Sequence, residues 1–219
     1  NKRPLVMVLK SYAKINLSLN VNKKRSNGLH DIQSIYCLVN LFDKFYIKKN
    51  KDKKDKVVFF GSSSKNILGS NNSIKNILTI LRKHEIITNY YSIKVHKKIP
   101  VFAGLGGGTS NAISILKYLV KKKIRKKIFE KIVKIIGSDS RLFFHDQGYL
   151  KNLNSVERLK IRHKLNFLII YPKIKCSTKE IYSKVIKHSK RKLVSLTSLK
   201  SKNKFMNYIF NSKNDLQLI

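Results

Sequence analysis

The chain has 219 residues, 48 of them Lys or Arg against 11 Asp or Glu, for a formal charge of +37 with 42% hydrophobic residues. Recurring blocks of Ile, Leu, Val, Phe and Tyr exclude a disordered polyelectrolyte, whose charge comes with too little apolar surface to fold. Two cysteines, Cys37 and Cys176, exclude a disulfide scaffold, offer no zinc-ligand spacing and indicate a reducing compartment.

No apolar run approaches the roughly 20 residues of a membrane helix, so no membrane partner is expected. The length suits one large domain, or one domain with a small or incomplete second. Residue 1 is Asn, with the first Met at position 7, which reads as a processed or incomplete N-terminus. The lysines far outnumber the arginines and are spread along the whole chain. A nucleic-acid face favours Arg with interleaved aromatics, so the charge reads as a solvated surface and nucleic acid is not expected as a partner.

In chain order, residues 11–20 alternate, with Ala13, Ile15, Leu17 and Leu19 on one face and Tyr12, Lys14, Asn16 and Ser18 on the other, the pattern of a half-buried strand. A turn follows at Ser26, Asn27 and Gly28. An apolar run from Ile32 to Leu41 ends near Asp43, and further strands are predicted at Phe45 to Lys48 and Val57 to Phe60, separated by a charged loop. Gly61 to Ser70 is Ser-rich coil. Asn72 and Ser73 can cap a helix carrying Ile74, Ile77, Leu78 and Leu81 on one face. Tyr91, Ile93 and Val95 alternate as a strand. Two amphipathic helices follow, through Ala112 to Val120 and through Ile128 to Ile136, the second stopped by Gly137. Phe167 to Tyr171 reads as a buried strand opening a new unit, with helical patterns around Ile181 to Ile186 and Phe205 to Phe210. This mixed order argues an α+β fold.

The segment from Pro100 through Val101, Phe102, Ala103, Gly104, Leu105, Gly106, Gly107, Gly108, Thr109 and Ser110 runs from a strand into a helix and holds four of the nine glycines. Glycines let a backbone approach an anion closely, and the following helix N-terminus points N–H groups at it, so the segment reads as a phosphate cradle. It lacks the Gly-Lys-Ser/Thr ending of a Walker A loop, and Thr109 stands where a dinucleotide fingerprint needs its third Gly.

This loop resembles the phosphate-binding motif of the galactokinase, homoserine kinase, mevalonate kinase and phosphomevalonate kinase superfamily, and within it the 4-diphosphocytidyl-2-C-methyl-D-erythritol kinases. AKINL at Ala13 to Leu17, NGLHDIQS at Asn27 to Ser34, the stretch Lys97 to Ala112, GSDSRLFF at Gly137 to Phe144 and, more weakly, NDL at Asn214 to Leu216 carry the resemblance in order along nearly the whole chain. It implies a two-domain α+β small-molecule kinase fold. Residues 1–163 would form a ribosomal-protein-S5-like nucleotide-binding domain. Residues 164–219 would form an incomplete C-terminal α/β domain, since the chain ends before the family's second glycine-rich motif.

The implied activity is ATP-dependent phosphorylation of the 2-hydroxyl of a cytidine diphosphate sugar-alcohol in non-mevalonate isoprenoid synthesis. By resemblance, Asp139 accepts the hydroxyl proton and Lys14 offsets charge on the transferring phosphoryl group. Thr109 and Ser110 meet phosphate, Thr109 also Mg2+, and Asn72 lies near the nucleotide, whereas by themselves Asn72, Thr109, Ser110 and Asp139 read equally as helix caps. Asn16, His30 and Tyr182 hold the substrate, with His30 reading the base. Leu29 and Arg141 depart from the family pattern, which has Tyr and Pro there. A bacterial cytoplasm or a plastid-type organelle is the implied location, and a homodimer is compatible with the sequence. Two other readings stay open at this stage: a degenerate nucleotide binder without turnover, and a basic RNA-binding protein built on the S5-like fold.

Overall fold

The structure is a computed structural model describing residues 7–65, 67, 72–174 and 177–217. Its elements are β1 (Met7–Asn16), β2 (Asn20–Lys24), β3 (His30–Asn50), β4 (Lys56–Phe60), α1 (Ser73–Lys83), β5 (Tyr90–His96), α2 (Gly107–Leu119), α3 (Lys126–Ile136), a 3-10 helix (Ser138–Phe144), β6 (Gln147–Asn152), β7 (Ser155–Arg158), α4 (Thr178–Ser183), a 3-10 turn (Ser198–Lys200) and α5 (Lys202–Phe210). The mixture of strands and helices is the expected α+β class. Among the described residues two compact units form, one from residues 7–13, 39–101 and 105–143, the other from 14–38, 102–104 and 144–217.

In the first unit the later part of β3 pairs antiparallel with β5, from Lys44 opposite His96 to Asn50 opposite Tyr90. β5 pairs parallel with β4, Phe60 facing His96. A parallel pair needs a crossover, and α1 lies within the connection from β4 to β5. Asn72 nucleates that helix: its side-chain oxygen accepts from the Ile74 and Lys75 amides at 3.1 and 3.0 Å, while Arg82 and Lys83 occupy the last turn, where cations favour the helix dipole. Phe45, Ile47, Ile93 and Val95 alternate inward from the sheet, and Ile74, Ile77, Leu78 and Leu81 of α1, Ile113 and Ile115 of α2 and Ile132 of α3 are buried with them. α1 contacts both α2 and α3.

In the second unit the first part of β3 pairs with β2, Asn20 opposite Gln33, and with β6, Ser34 opposite Leu150. Ile35, Tyr149, Leu159, Leu199 and Phe205 form its core. The NDL segment docks on β2: Asp215 accepts from the Val21 amide at 2.7 Å and its own amide donates to the Leu19 carbonyl at 2.9 Å. Cys37 is buried and its thiol is pushed up to about 11 by burial, so it is inert at neutral pH. Cys176 and part of the Ser-rich 61–70 coil lie outside the described residues.

The structure corrects four expectations. The runs 32–41 and 45–48 are one strand of 21 residues, because Asp43, expected to end the first run, is fully buried and satisfied from inside. The polar face of residues 12–18 is not solvated: Lys14 and Ser18 are buried, and Tyr12 and Asn16 are half-buried. Phe167 to Tyr171 is neither buried nor in a ladder. No described strand pairs with it, and Leu168 and Ile170 are 89% and 81% exposed. The helical pattern at 181–186 is realised only as the short α4, which ends before the exposed Ile186.

The Asp43 carboxylate takes an ion pair from the buried Lys97 ammonium through Oδ2 and accepts the Lys98 and Ile99 amides through Oδ1 at 2.8 and 2.9 Å. Burial lowers the Lys97 pKa and Asp43 acts against that lowering. Removing one member leaves the other charge buried alone. Lys97→Met therefore lowers unfolding free energy by about 3–5 kcal/mol in urea titrations, and Asp43→Asn/Lys97→Met recovers part of the loss. A change under about 1 kcal/mol for Lys97→Met contradicts this account.

Candidate functional site

The glycine loop begins where β5 ends. Asp43 fixes residues 97–99, the chain turns through Pro100, Val101, Phe102, Ala103, Gly104 and Leu105, and α2 starts at Gly107. Two glycine positions are required by the backbone. Gly106, the residue before the helix, has φ +67°, and no side chain caps the N–H groups that follow it. A Cβ on Gly107 would lie 3.0 Å from Ile99 Cγ2 and 3.4 Å from Lys97 Nζ, so the loop rests directly on the Asp43–Lys97 pair. Asn111 adds to this anchor: with its side-chain amide turned so that nitrogen faces the surrounding acceptors, it donates to Asp43 Oδ2 at 2.9 Å and to the Gly107 carbonyl at 3.0 Å. Phe102, half exposed, is held at φ +60°, a strained conformation for a side-chain-bearing residue and a mark of a tightly specified loop.

The same unit gathers further predicted residues around this loop. Asn72 serves as the α1 cap, and the adjacent Ser73 hydroxyl donates to the Gly108 carbonyl at 2.6 Å, tying α1 to the loop. Ser110 points inward: its hydroxyl donates to the Tyr12 carbonyl and accepts from the Ser11 hydroxyl, both at 2.7 Å, so this side chain braces α2 against β1. Thr109, half-buried, follows Gly108 in the first turn of α2. Gly137, which ends α3, abuts it, since a Cβ there would lie 3.4 Å from Thr109 Oγ1. Asp139 follows two residues later in the first turn of the 3-10 helix, within a helix rather than at the cap expected from sequence. Arg141 holds this segment to α3 through an ion pair with Glu130 at 2.6 Å and a guanidinium 5.1 Å from the Phe129 ring centre.

The second unit gathers the others. Lys14 is 4% exposed and its Nζ donates to Asn16 Oδ1 at 3.3 Å; the same oxygen accepts from Ser34 Oγ at 3.2 Å. His30 stacks on Tyr182, ring centres 5.4 Å apart and planes at 28°, and on His188 at 5.9 Å and 18°. Burial, then His188, then Lys24 disfavour its imidazolium, so its pKa lies below the usual 6.5 and the ring is neutral at pH 7. Beside it a cleft of about 350 Å³ is lined by Asn22, Lys23, Asp31 and residues 188–191. Leu29 is half exposed in the preceding turn. Sequence reasoning missed Asp43, Asn111 and His188. The first had a signal, a lone acid inside an apolar run of a chain with few acids.

A family model described as GHMP kinases N terminal domain matches residues 72–139, the span from the α1 cap to Asp139. The chain is 38% identical over 216 residues to the 4-diphosphocytidyl-2-C-methyl-D-erythritol kinase of Pelagibacter ubique (strain HTCC1062), covering 96% of this chain and 75% of that protein. It is 33% identical over 217 residues to the protein of the same name from Ureaplasma parvum serovar 3, covering 96% and 82%. In fold it is similar to a crystal structure of 4-(cytidine 5'-diphospho)-2C-methyl-D-erythritol kinase, with TM-score 0.63, 18% identity and coverage of 96% and 76%. It is also similar to the Methanococcus jannaschii mevalonate kinase, with TM-score 0.54, 17% identity and coverage of 98% and 76%. With identity at this level over three quarters or more of the two relatives, and with the loop, the Thr109–Gly137 contact and Asp139 inside the matched span, the chain belongs to the 4-diphosphocytidyl-2-C-methyl-D-erythritol kinase family of GHMP small-molecule kinases.

Proposed function

We propose that the protein transfers the γ-phosphoryl group of ATP to the 2-hydroxyl of 4-diphosphocytidyl-2-C-methyl-D-erythritol, a step of non-mevalonate isoprenoid synthesis. The observation that carries this reading is the approach of Gly137 to Thr109, which sets a carboxylate, Asp139, in the neighbourhood of a glycine loop and an uncapped helix start. Backbone N–H groups at that start suit phosphate oxygens. A carboxylate nearby suits a hydroxyl that must lose its proton as it attacks phosphorus.

In this mechanism the substrate oxygen forms the new P–O bond, its proton passes to the Asp139 carboxylate, and the bond to the β-phosphate oxygen breaks to release ADP. Lys14, buried and therefore little screened, supplies positive charge to the transferring group. Asn16 orients the Lys14 ammonium through their hydrogen bond. Asn72 sits on the nucleotide side, next to the Ser73 hydroxyl that holds the loop. The Ser110 hydroxyl, bonded to β1, holds the start of α2 in place beside Thr109.

Mg2+ takes oxygen donors and is usually held by one or two carboxylates together with substrate phosphates. Thr109 offers a hydroxyl oxygen donor, and among the described residues no cluster of three or more His, Cys, Asp or Glu forms a cage made by the protein alone. Thr109 would hold the ion jointly with the nucleotide, leaving the Asp139 carboxylate to accept the proton. When bound, it neutralises phosphate charge that the protein side chains do not reach.

His30 and Tyr182 would take the cytosine, one ring reading its edge and the other covering its face. In this reading the nucleotide side lies within residues 1–163, and residues 164–219 begin a substrate-facing domain.

Asp139→Ala or Lys14→Ala lowers kcat at least about 100-fold with the fold intact by circular dichroism, measured as ADP release with both substrates present. Turnover within a few-fold of the parent for either variant contradicts the assigned roles. Because the imidazolium of His30 is disfavoured, KM for the cytidyl substrate rises on acidification with a midpoint below pH 6.5, as the ring takes its second proton and loses its acceptor. The His30→Asn variant loses that dependence. A midpoint above pH 6.5 in the parent would show the ring titrating on the wrong side of its ordinary value.

A further inference from the structure

His30 opens β3 opposite Lys24 of β2, and it is 8% exposed. Three elements of the second unit face its ring: β2 through Lys24, α4 through Tyr182, and the segment 188–192 through His188. The proposed function uses His30 and Tyr182 and leaves His188 without a task.

Segment 188–192 is a strap across two strands. Directly after His188, the Ser189 amide donates to the Val21 carbonyl at 2.8 Å, and the Ser189 carbonyl accepts from Asn22 Nδ2 at 3.2 Å. Three residues on, the Lys192 amide donates to Gln33 Oε1 at 2.9 Å and its carbonyl accepts from Gln33 Nε2 at 2.8 Å. Gln33 is buried on β3, whereas His188 is exposed. Backbone bonds to β2 and β3, rather than burial of its own side chain, therefore bring His188 to His30.

The two imidazoles lie within 18° of parallel with centres 5.9 Å apart, the distance of an offset stack. Such a stack fixes the plane of a ring and leaves its edge free. The edge is what reads a base: cytosine presents an amino donor where uracil presents a carbonyl, and a neutral imidazole has one acceptor nitrogen for that donor. An imidazolium has donors alone and suits the carbonyl instead. Burial, then His188, then Lys24 hold His30 away from that form.

We infer that His188 is a positioning residue for base recognition: anchored by the strap, it holds the plane of the His30 ring so that its acceptor nitrogen meets the amino group of cytosine, and the site prefers cytosine to uracil. This inference rests on the reading of His30 as the residue that reads the base.

The test is isothermal titration calorimetry of the whole protein with CDP and with UDP, the nucleotide site being filled by a non-hydrolysable ATP analogue. The parent prefers CDP. His188→Ala weakens CDP binding about three- to tenfold, the worth of one ring pair, and leaves UDP within about twofold, so the preference shrinks. His188→Phe, which restores a ring, recovers most of the loss. Proton NMR, with the His30 signal identified by its absence in His30→Asn, shows the His30 titration moving up toward 6.5 in His188→Ala, because burial and a like charge are both relieved. The inference is overturned if His188→Ala binds CDP as the parent does, or if it weakens CDP and UDP equally. A parent whose CDP affinity is untouched by His30→Asn fails the underlying reading and this inference with it, and that result is distinct because it is seen before His188 is altered.

Discussion

The buried Asp43 carboxylate holds Lys97 with one oxygen and the Lys98 and Ile99 amides with the other, and Gly107 lies against the ammonium it holds. Everything that distinguishes the loop depends on this arrangement. A charge pair taken out of water is costly, and it persists only where hydrogen bonds satisfy the remaining lone pairs. Here those bonds come from the very residues that lead into the loop, so the loop's entry is specified by the same contacts that make the pair tolerable. Asn111, one turn into α2, closes the circuit by reaching both Asp43 and the Gly107 carbonyl. The result is a glycine segment whose flexibility is confined to the turn itself, between a fixed strand end and a fixed helix start.

In the proposed mechanism the first unit carries the phosphate side of the chemistry. α1 joins through Ser73 and Gly108, α3 through Gly137 and Thr109, and the 3-10 helix brings Asp139 into the same neighbourhood. Arg141 is held by its ion pair with Glu130 and its contact with Phe129, a side-chain tether between the 3-10 helix and α3. The second unit carries its own cluster, with Lys14 held by Asn16, and His30 flanked by Tyr182 and His188.

Much of this was legible because local rules wrote it. Asn72 as a cap, Gly137 as a stop and the glycine run before an amphipathic helix are signals that act within a few residues, and each element they mark is present. Signals that need a distant partner were not legible. Asp43 and Lys97 are 54 positions apart, and nothing in either local sequence announces the other. The alternation of residues 11–18 correctly separates two faces, but a period of two says nothing of what covers them, and Lys14 on the polar face is buried. Phe167 to Tyr171 shows the converse: an apolar run states a preference for burial, and among the described residues no strand pairs with it. Tyr182, which the resemblance pairs with His30 as a substrate residue, is set by the short α4 with its ring on His30.

The central claim is that the glycine loop, Thr109 and Asp139 serve transfer of phosphate to an alcohol. The most direct measurement is phosphorus NMR of the protein incubated with ATP, Mg2+ and the cytidyl methylerythritol substrate. The account predicts one equivalent of ADP for each new phosphomonoester on the substrate's 2-hydroxyl, with its diphosphate bridge intact. ADP accumulating with inorganic phosphate alone, or ATP left unconsumed while it binds, would contradict it.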